Sequence, residues 1–331
     1  MPRELEVVSE IARAAGAIVL KHYEAGAGAD AHKDGEPVTV ADRESDAYIV
    51  RALRRAFPDD EIVSEESSGR LAREAEPGRG AGSRRRSLDD EAAGVGVDSR
   101  SGKDSAAGAG PERDAAAELD DPPFQLEHAA DAEPPTIEHA PPRVWYVDPM
   151  DGTSDFVART GDFVVMIGLA IAGWPVLGVV YHPPSDTLYR GGHGLGAEKL
   201  AAGERTELQV SGVRDPRQAR LVVSRSHTPE IVAGLASRLG FERLEPCGSV
   251  GLKAARIAEG SSDAYLHPSI GTKLWDTCAP EAIVVAAGGT FSDCDGRPLV
   301  YDRRHLHNER GIIASNGRLH DILVEALAGT W

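Results

Sequence analysis

Cysteine is scarce: the 331 residues hold only Cys247, Cys278 and Cys294, and no Cys-x-x-Cys pair. An odd number at such wide spacing excludes a disulfide framework and a cysteine-built structural zinc site, so small, buried, reduced thiols are expected. Long apolar runs are also missing. No 18-residue apolar stretch occurs, and Met1 to Ala14 lacks a basic start followed by an apolar core. These absences read against a membrane-spanning helix and an export leader, and leave the cytoplasm as the expected compartment. Positive charge is short as well, with 36 Lys and Arg against 53 Asp and Glu, a net charge of -17. Nucleic-acid polymers and anionic membranes are therefore poor partners. A small anionic substrate stays acceptable where bound cations invert the local field. His305 and His307 have no matching His or Cys cluster and read as solvated loop residues.

What is present alternates between helical and strand-like patterns. Apolar residues recur at helical spacing over Glu4 to Tyr23, and Thr39 or Asp42 can cap a second helix running to Ala56. Glu61 to Ser64 reads as a short strand that delivers Glu65 and Glu66. After Val144, strands are expected at Phe163 to Ala172 and Val176 to Tyr181, joined by Gly173-Trp174-Pro175, with another hairpin over Leu188 to Leu200. Further strands are expected at Leu221 to Ser224, Ala264 to Leu266 and Gly311 to Ser315. Helices are expected at Pro229 to Leu239, Val250 to Glu259, Trp275 to Ala287 and His320 to Ala328. This mixture predicts an α/β layered sandwich. We divide it into an N-terminal α+β metal-binding part (residues 1–205) and a C-terminal α/β part (206–331) that completes the active site. Residues 69–143, rich in Ala, Gly, Pro and charge with few apolar side chains, read as a disordered acidic insertion on a finished fold.

Three acidic elements stand where one unit meets the next. In Trp145-Tyr-Val-Asp148-Pro-Met150-Asp151-Gly152-Thr153, two carboxylates lie three positions apart where an apolar strand breaks into a turn. Hard divalent cations take anionic oxygen ligands, and the turn adds amides and a hydroxyl suited to a phosphate oxygen. An ordinary Asp-Pro strand end with an Asp-Gly turn is the plainer alternative. Asp276 begins a helix, where it could serve only as an N-terminal partner of the dipole. Glu65-Glu66 could be a solvated turn.

Together, Ser64-Glu-Glu-Ser67, Asp148-Pro-Met-Asp-Gly-Thr153 and Trp275-Asp-Thr-Cys-Ala-Pro-Glu-Ala282 resemble the signatures of the inositol monophosphatase-like superfamily of metal-dependent, lithium-sensitive phosphatases. The resemblance covers nearly the whole chain except the insertion. It implies a layered αβαβα sandwich of the inositol monophosphatase and fructose-1,6-bisphosphatase type. Lys33-Asp34-Gly35-Glu36-Pro37-Val38-Thr39, Lys273 to Glu281, Gly248-Ser249 with Lys253, and Glu259 to Tyr265 are similar to the 3'(2'),5'-bisphosphate nucleotidase branch, with its place in sulfur metabolism. Departures are Glu36 for Ser, Ser154-Asp155 for Lys-Glu, one extra residue between Ser249 and Lys253, and the insertion.

The resemblance implies two to three Mg²⁺ ions. Glu65, Asp148 and the Met150 carbonyl would hold one. Asp148, Asp151 and Asp276 would hold a second, and a third would sit near Glu65 and Asp34. Thr153, bonded to Asp42, would help to activate the attacking water, and the Gly152 and Thr153 amides would bind phosphate oxygens. His227, Ser249 and Lys253 would meet the nucleotide, with Asp276 also on the substrate side. His227 as a plain loop residue and Lys253 as a solvated helix residue are the alternatives. The implied reaction releases AMP and phosphate from adenosine 3',5'-bisphosphate. The other readings are an inositol or sugar phosphatase with the same metals, and a catalytically silent nucleotide-binding protein. A homodimer is compatible with all three.

Overall fold

Apolar side chains at every third or fourth position drive the first two helices onto the same surface. Leu5, Val8, Ile11, Ala12, Ala15 and Val19 are buried on α1 (Arg3–Glu24), as are Ala41, Ile49 and Leu53 on α2 (Val40–Ala56). The computed structural model describes residues 3–33, 36–67, 142–225 and 228–328, all within one compact unit. The sequence-based insertion therefore lies outside the described residues, apart from its last two positions, Pro142 and Arg143. Arg143 is not part of it: it opens the strand β4, where its guanidinium donates to Asp60 at 2.9 Å.

Between the helices, β1 (Ala31–Lys33) pairs antiparallel with β2 (Glu36–Val38). A seven-stranded sheet follows, with its strands side by side in chain order. They are β3 (Glu61–Ser64), β4 (Arg143–Asp151), β5 (Val164–Ile171), β6 (Trp174–His182), β7 (Thr187–Gly192), β8 (Gly196–Ala201) and β9 (Glu204–Glu207). The first pair, β3 with β4, is parallel and the others are antiparallel. The short helix α3 (Thr153–Val157) interrupts the chain between β4 and β5.

The rest of the chain builds a five-stranded sheet in the order β11-β10-β12-β14-β13. Its strands are β10 (Arg220–Ser224), β11 (Arg243–Cys247), β12 (Ala264–His267), β13 (Thr290–Ser292) and β14 (Ile312–Ser315). Helices α4 (Glu230–Leu239), α5 (Val250–Ala258) and α6 (Leu274–Ala286) follow β10, β11 and β12, and α7 (His320–Leu327) follows β14.

Three cores define the layering. One joins α1 and α2 to the face of the large sheet that carries Trp145, Val147, Val165, Ile167 and Val179. A second joins the opposite face (Tyr146, Val164, Met166, Val180) to α5 and α6, and these to Val222, Tyr265 and Ile312 of the small sheet. The third joins the far face of the small sheet to α4 and α7. The layers thus run α, β, α, β, α, the expected sandwich. All three cysteines are free and buried.

One sequence-based expectation is corrected. Trp174 and Pro175 are not in the turn but in β6, opposite Ile171 and Ala170. The turn is Ala172-Gly173, both at positive φ (53° and 82°). A register shift at Leu169/Ala170 lets the ladder accept a proline without an N–H there. Strands β9, β11 and β13, which have no clear alternating pattern, are the outermost strands of their sheets on those sides. Thr39 and Asp42 share the start of α2: Thr39 is the N-cap and Asp42 the reciprocal capping-box acceptor.

Helix α6 lies directly against the large sheet. A Cβ on Gly178 would stand 2.3 Å from the Ala279 carbonyl oxygen, and one on Gly168 2.6 Å from the Ala279 nitrogen. This helix also buries Glu281, which accepts a 2.6 Å hydrogen bond from the Tyr301 hydroxyl. Burial pushes the Glu281 carboxyl up to about 8, outweighing the lowering by Tyr301. Between the ordinary value and about 8 the folded state therefore binds a proton that the unfolded chain has released. Stability must fall as pH rises through that window. Glu281→Gln should flatten the fall in melting temperature between about pH 5 and about pH 8, by roughly 2–4 °C for each kcal/mol removed. Parallel melting curves for parent and variant would refute the assignment.

Candidate active site

Strand β4 ends in a distortion. Asp148 still pairs with Met166, but the register shifts before Asp151 reaches Val164. The Asp-Pro-Met-Asp segment therefore leaves the ladder at the edge of the core. Ser45 of α2 donates to the Pro149 carbonyl at 3.0 Å, and the Met150 amide folds back onto Asp148 Oδ1 at 2.9 Å. Gly152 then turns the chain at φ 99°, where an added Cβ would meet the Asp162 carbonyl oxygen at 2.5 Å. Only glycine meets both conditions.

The other acidic elements reach this turn from separate directions. Ser64 of β3 is in parallel register with Val147, and the Glu65 amide donates to the Val147 carbonyl at 3.1 Å, which sets Glu65 beside Asp148. Asp276 lies in the first turn of α6, where its Oδ2 accepts from the Lys273 amide at 2.7 Å. The approach to α6 is braced by Asn308, which donates to Thr272 Oγ1 and to the Lys273 carbonyl, each at 3.0 Å. Asp151 Oδ2 accepts from the Ser249 hydroxyl at 2.6 Å and from the Gly251 amide at 2.8 Å.

These groups feel one another. Burial raises the Asp148 carboxyl well above its ordinary range, and the charges of Glu65, Asp151 and Asp276 raise it further. Burial also raises Asp151, against the opposing pull of Ser249, Gly251 and Lys253. Lys253 is the near cation. It is not a solvated helix residue: it is 4% exposed, donates to the Ser249 carbonyl at 3.0 Å and lies 5.0 Å from the Tyr265 ring centre. Burial lowers its basicity, and Asp151 partly restores it. One lysine cannot neutralise four carboxylates, so the pocket favours proton uptake or a further cation. Among the described residues, no three His, Cys, Asp or Glu side chains already converge closely enough to grip an ion. The donor set is nonetheless all carboxylate and carbonyl oxygen, the type that hard divalent cations take.

Thr153 and Asp42 meet as expected. Thr153 Oγ1 lies 3.0 Å from Asp42 Oδ1 and 3.1 Å from the Met150 carbonyl, while Asp42 Oδ2 accepts from the Thr39 amide and hydroxyl. Asp34 and His227 lie outside the described residues. Sequence reasoning missed Asp162 and Arg225, whose ion pair flanks Gly248. Neither falls in a motif, and their meeting across 63 residues has no local signal.

If repulsion at Asp148 is as strong as its raised carboxyl indicates, Asp148→Asn should stabilise the chelator-treated protein at neutral pH. A gain on the order of 1 kcal/mol is expected from urea unfolding, since Asn keeps the Met150 acceptor without the charge. A loss of stability would contradict the reading.

The family model described as the inositol monophosphatase family matches residues 2–85 and 113–330. The 3'(2'),5'-bisphosphate nucleotidase CysQ of Salmonella typhimurium is 43% identical over 163 residues, 49% of this chain and 63% of that protein. Its Escherichia coli counterpart is 41% identical over the same shares. The chain thus spans about 63% of the length of these curated relatives. Among solved structures, an inositol monophosphatase from Anabaena aligns with a TM-score of 0.61 at 25% identity, covering 99% of this chain and 98% of that one. CysQ from Bacteroides thetaiotaomicron aligns with a TM-score of 0.62 at 24% identity, covering 95% and 97%.

Proposed function

From the fact that this chain belongs to the inositol monophosphatase family, we propose that it removes the 3'-phosphate of adenosine 3',5'-bisphosphate, releasing AMP and phosphate, with Mg²⁺ as cofactor. The observation that carries the phosphatase reading is the buried Asp148, whose carboxyl the charges of Glu65, Asp151 and Asp276 raise, beside the Gly152-Thr153 turn. The choice of substrate rests on the match to proteins named as bisphosphate nucleotidases.

Glu65, Asp148, the Met150 carbonyl, Asp151 and Asp276 would hold two Mg²⁺ ions, with Asp34 contributing to a third. Bound there, the ions would offset the carboxylate charge, draw in the phosphate and make a nearby water more acidic. The chain's own groups do the remaining work. Asp42 Oδ1 accepts a hydrogen bond from the Thr153 hydroxyl, which leaves the Thr153 oxygen lone pairs to accept a hydrogen bond from the attacking water and so orient it. The Gly152 and Thr153 amides would bind phosphate oxygens. No covalent enzyme intermediate is invoked; the three cysteines are buried, and burial raises Cys247 to about 11. His227, Ser249 and Lys253 are assigned to the nucleotide, with Asp276 at the phosphate. The division into a metal-binding part (residues 1–205) and a completing part (206–331) belongs to the same proposal, although its boundary falls inside β9 rather than in a connection. No helix among the described residues is long and apolar enough to cross a membrane, and cytoplasmic residence belongs to the same proposal.

A second reading, an inositol or sugar phosphatase, draws on the Anabaena likeness. Phosphate release from adenosine 3',5'-bisphosphate, inositol 1-phosphate and fructose 1,6-bisphosphate separates the two. The metals meet the same group in all three, so preference must come from contacts to the rest of the molecule. We expect the nucleotide to win in kcat/KM by at least about 10²-fold, with each tenfold step worth about 1.4 kcal/mol. Equal or better use of inositol 1-phosphate would promote the second reading.

The metal assignment has its own test. Asp151→Asn should lower kcat on the order of 10²-fold or more while the protein stays folded, because the loss is one of charge stabilisation. Millimolar lithium should inhibit the parent enzyme. Near-normal turnover of the variant would remove Asp151 from the site.

A further inference from the structure

The turn Gly248-Ser249 is held in an unusual way. Ser249 has φ 52° and ψ 133°, a combination that L-residues rarely adopt and that persists only where the surroundings enforce it. On one side its hydroxyl donates to Asp151 Oδ2 at 2.6 Å and accepts from the Leu252 amide at 3.1 Å. On the other side the preceding Gly248 amide donates to Asp162 Oδ2 at 2.8 Å. Asp162 Oδ2 also accepts from the Arg225 guanidinium. Arg225 lies 3.6 Å from Asp155 as well, and its own amide donates to the Cys247 carbonyl at 3.1 Å. The fit is close: a Cβ on Gly248 would stand 2.3 Å from Asp155 Oδ2 and 2.7 Å from the Asp162 Cβ.

Arg225 is not free to take a substrate phosphate, since two carboxylates already face it. Burial alone would raise Asp162, but the Arg225 and Gly248 hydrogen bonds outweigh it and hold the carboxyl below its ordinary value, so Asp162 is a charged acceptor at neutral pH. Charge-assisted bonds of this kind are strong and directional. They connect the loop before β5 and the end of β10 to the turn that starts α5, and that turn supplies two of the donors on Asp151.

We propose that Asp162, braced by Arg225, is a positioning residue for the phosphatase site: it clamps the Gly248-Ser249 turn so that Ser249 and Gly251 hold Asp151 in the orientation needed to bind a metal. This rests on the proposed metal-dependent reading of the site. Groups that orient metal ligands from behind typically change metal affinity or activity by about 10- to 100-fold when removed.

The test is a calorimetric titration of the full-length protein with Mn²⁺ as the metal alone, alongside its Mg²⁺-dependent phosphate release and its melting temperature. Asp162→Ala should weaken Mn²⁺ binding by about 10-fold or more and raise the Mg²⁺ concentration for half-maximal activity in step, with substrate KM at saturating Mg²⁺ within about threefold of the parent. Asp60→Ala removes a comparable brace on Arg143 and Trp145 at the opposite end of β4. It should lower the melting temperature and leave metal binding unchanged. Should Asp162→Ala not fold, Asp162→Asn, which keeps an acceptor for Gly248 but not the charge, should still weaken Mn²⁺ binding. Parent-like Mn²⁺ affinity in a folded Asp162 variant overturns the proposal. A parent protein that binds no Mn²⁺ overturns the metal reading beneath it instead.

Discussion

Crowding of like charge is the constraint on which the rest of this structure turns. Glu65, Asp148, Asp151 and Asp276 come from three places in the chain and press on one corner around the buried Asp148, with Lys253 as the near cation. Each of the three places is held by a different device. A parallel strand pair sets Glu65, a broken register sets Asp148 and Asp151, and a helix start sets Asp276. Local hydrogen bonds offset part of the repulsion, as in the two donors on Asp151. The remainder is stored as a pocket that favours positive charge, which is the physical basis of the metal-dependent reaction proposed for it.

Helix α6 links that corner to the core. Its first turn carries Asp276, and one turn further on its backbone rests on Gly168 and Gly178 of the large sheet. Backbone-to-backbone contact leaves no side chain to slide over, so the position of Asp276 is fixed by the sheet itself. The buried Glu281–Tyr301 bond secures the same helix farther along. Fold and site are therefore one mechanical unit.

The layered fold and most of the acidic cluster were legible in the sequence because their signals are local. Helical spacing marks α1, and the Asp148 to Thr153 run announces a turn wherever it occurs. What escaped is non-local or at an edge. Strand β11 includes Pro246 and has no alternation, since its place is set by pairing with β10 alone. Lys253 reads in the sequence as a nucleotide contact or, alternatively, a solvated helix residue, but its burial and its hydrogen bond to the Ser249 carbonyl depend on tertiary packing that no local pattern encodes. The Arg225–Asp162 pair depends on two loops meeting in space, and no spacing encodes that. The Trp174-Pro175 step looked like a turn because proline usually punctuates, whereas here a register shift admits it into the strand.

The parallel pairing of β3 with β4 has a consequence of its own. Parallel neighbours cannot be joined by a tight turn, so some long crossover was unavoidable here whatever its content. Lengthening it from a minimal crossover to residues 65–142 adds only about 1–2 kcal/mol of closure entropy. The chain is in effect sewn together there by a single covalent crossing, the seam between two parts of the site. On one side of the seam stand Asp42 and Glu65 with α1 and α2; on the other stand Asp148, Asp151 and Asp276. Severed at that seam, the two pieces would still share the core between α1, α2 and the large sheet. They would then relate to each other as obligate subunits, each with an incomplete set of carboxylates.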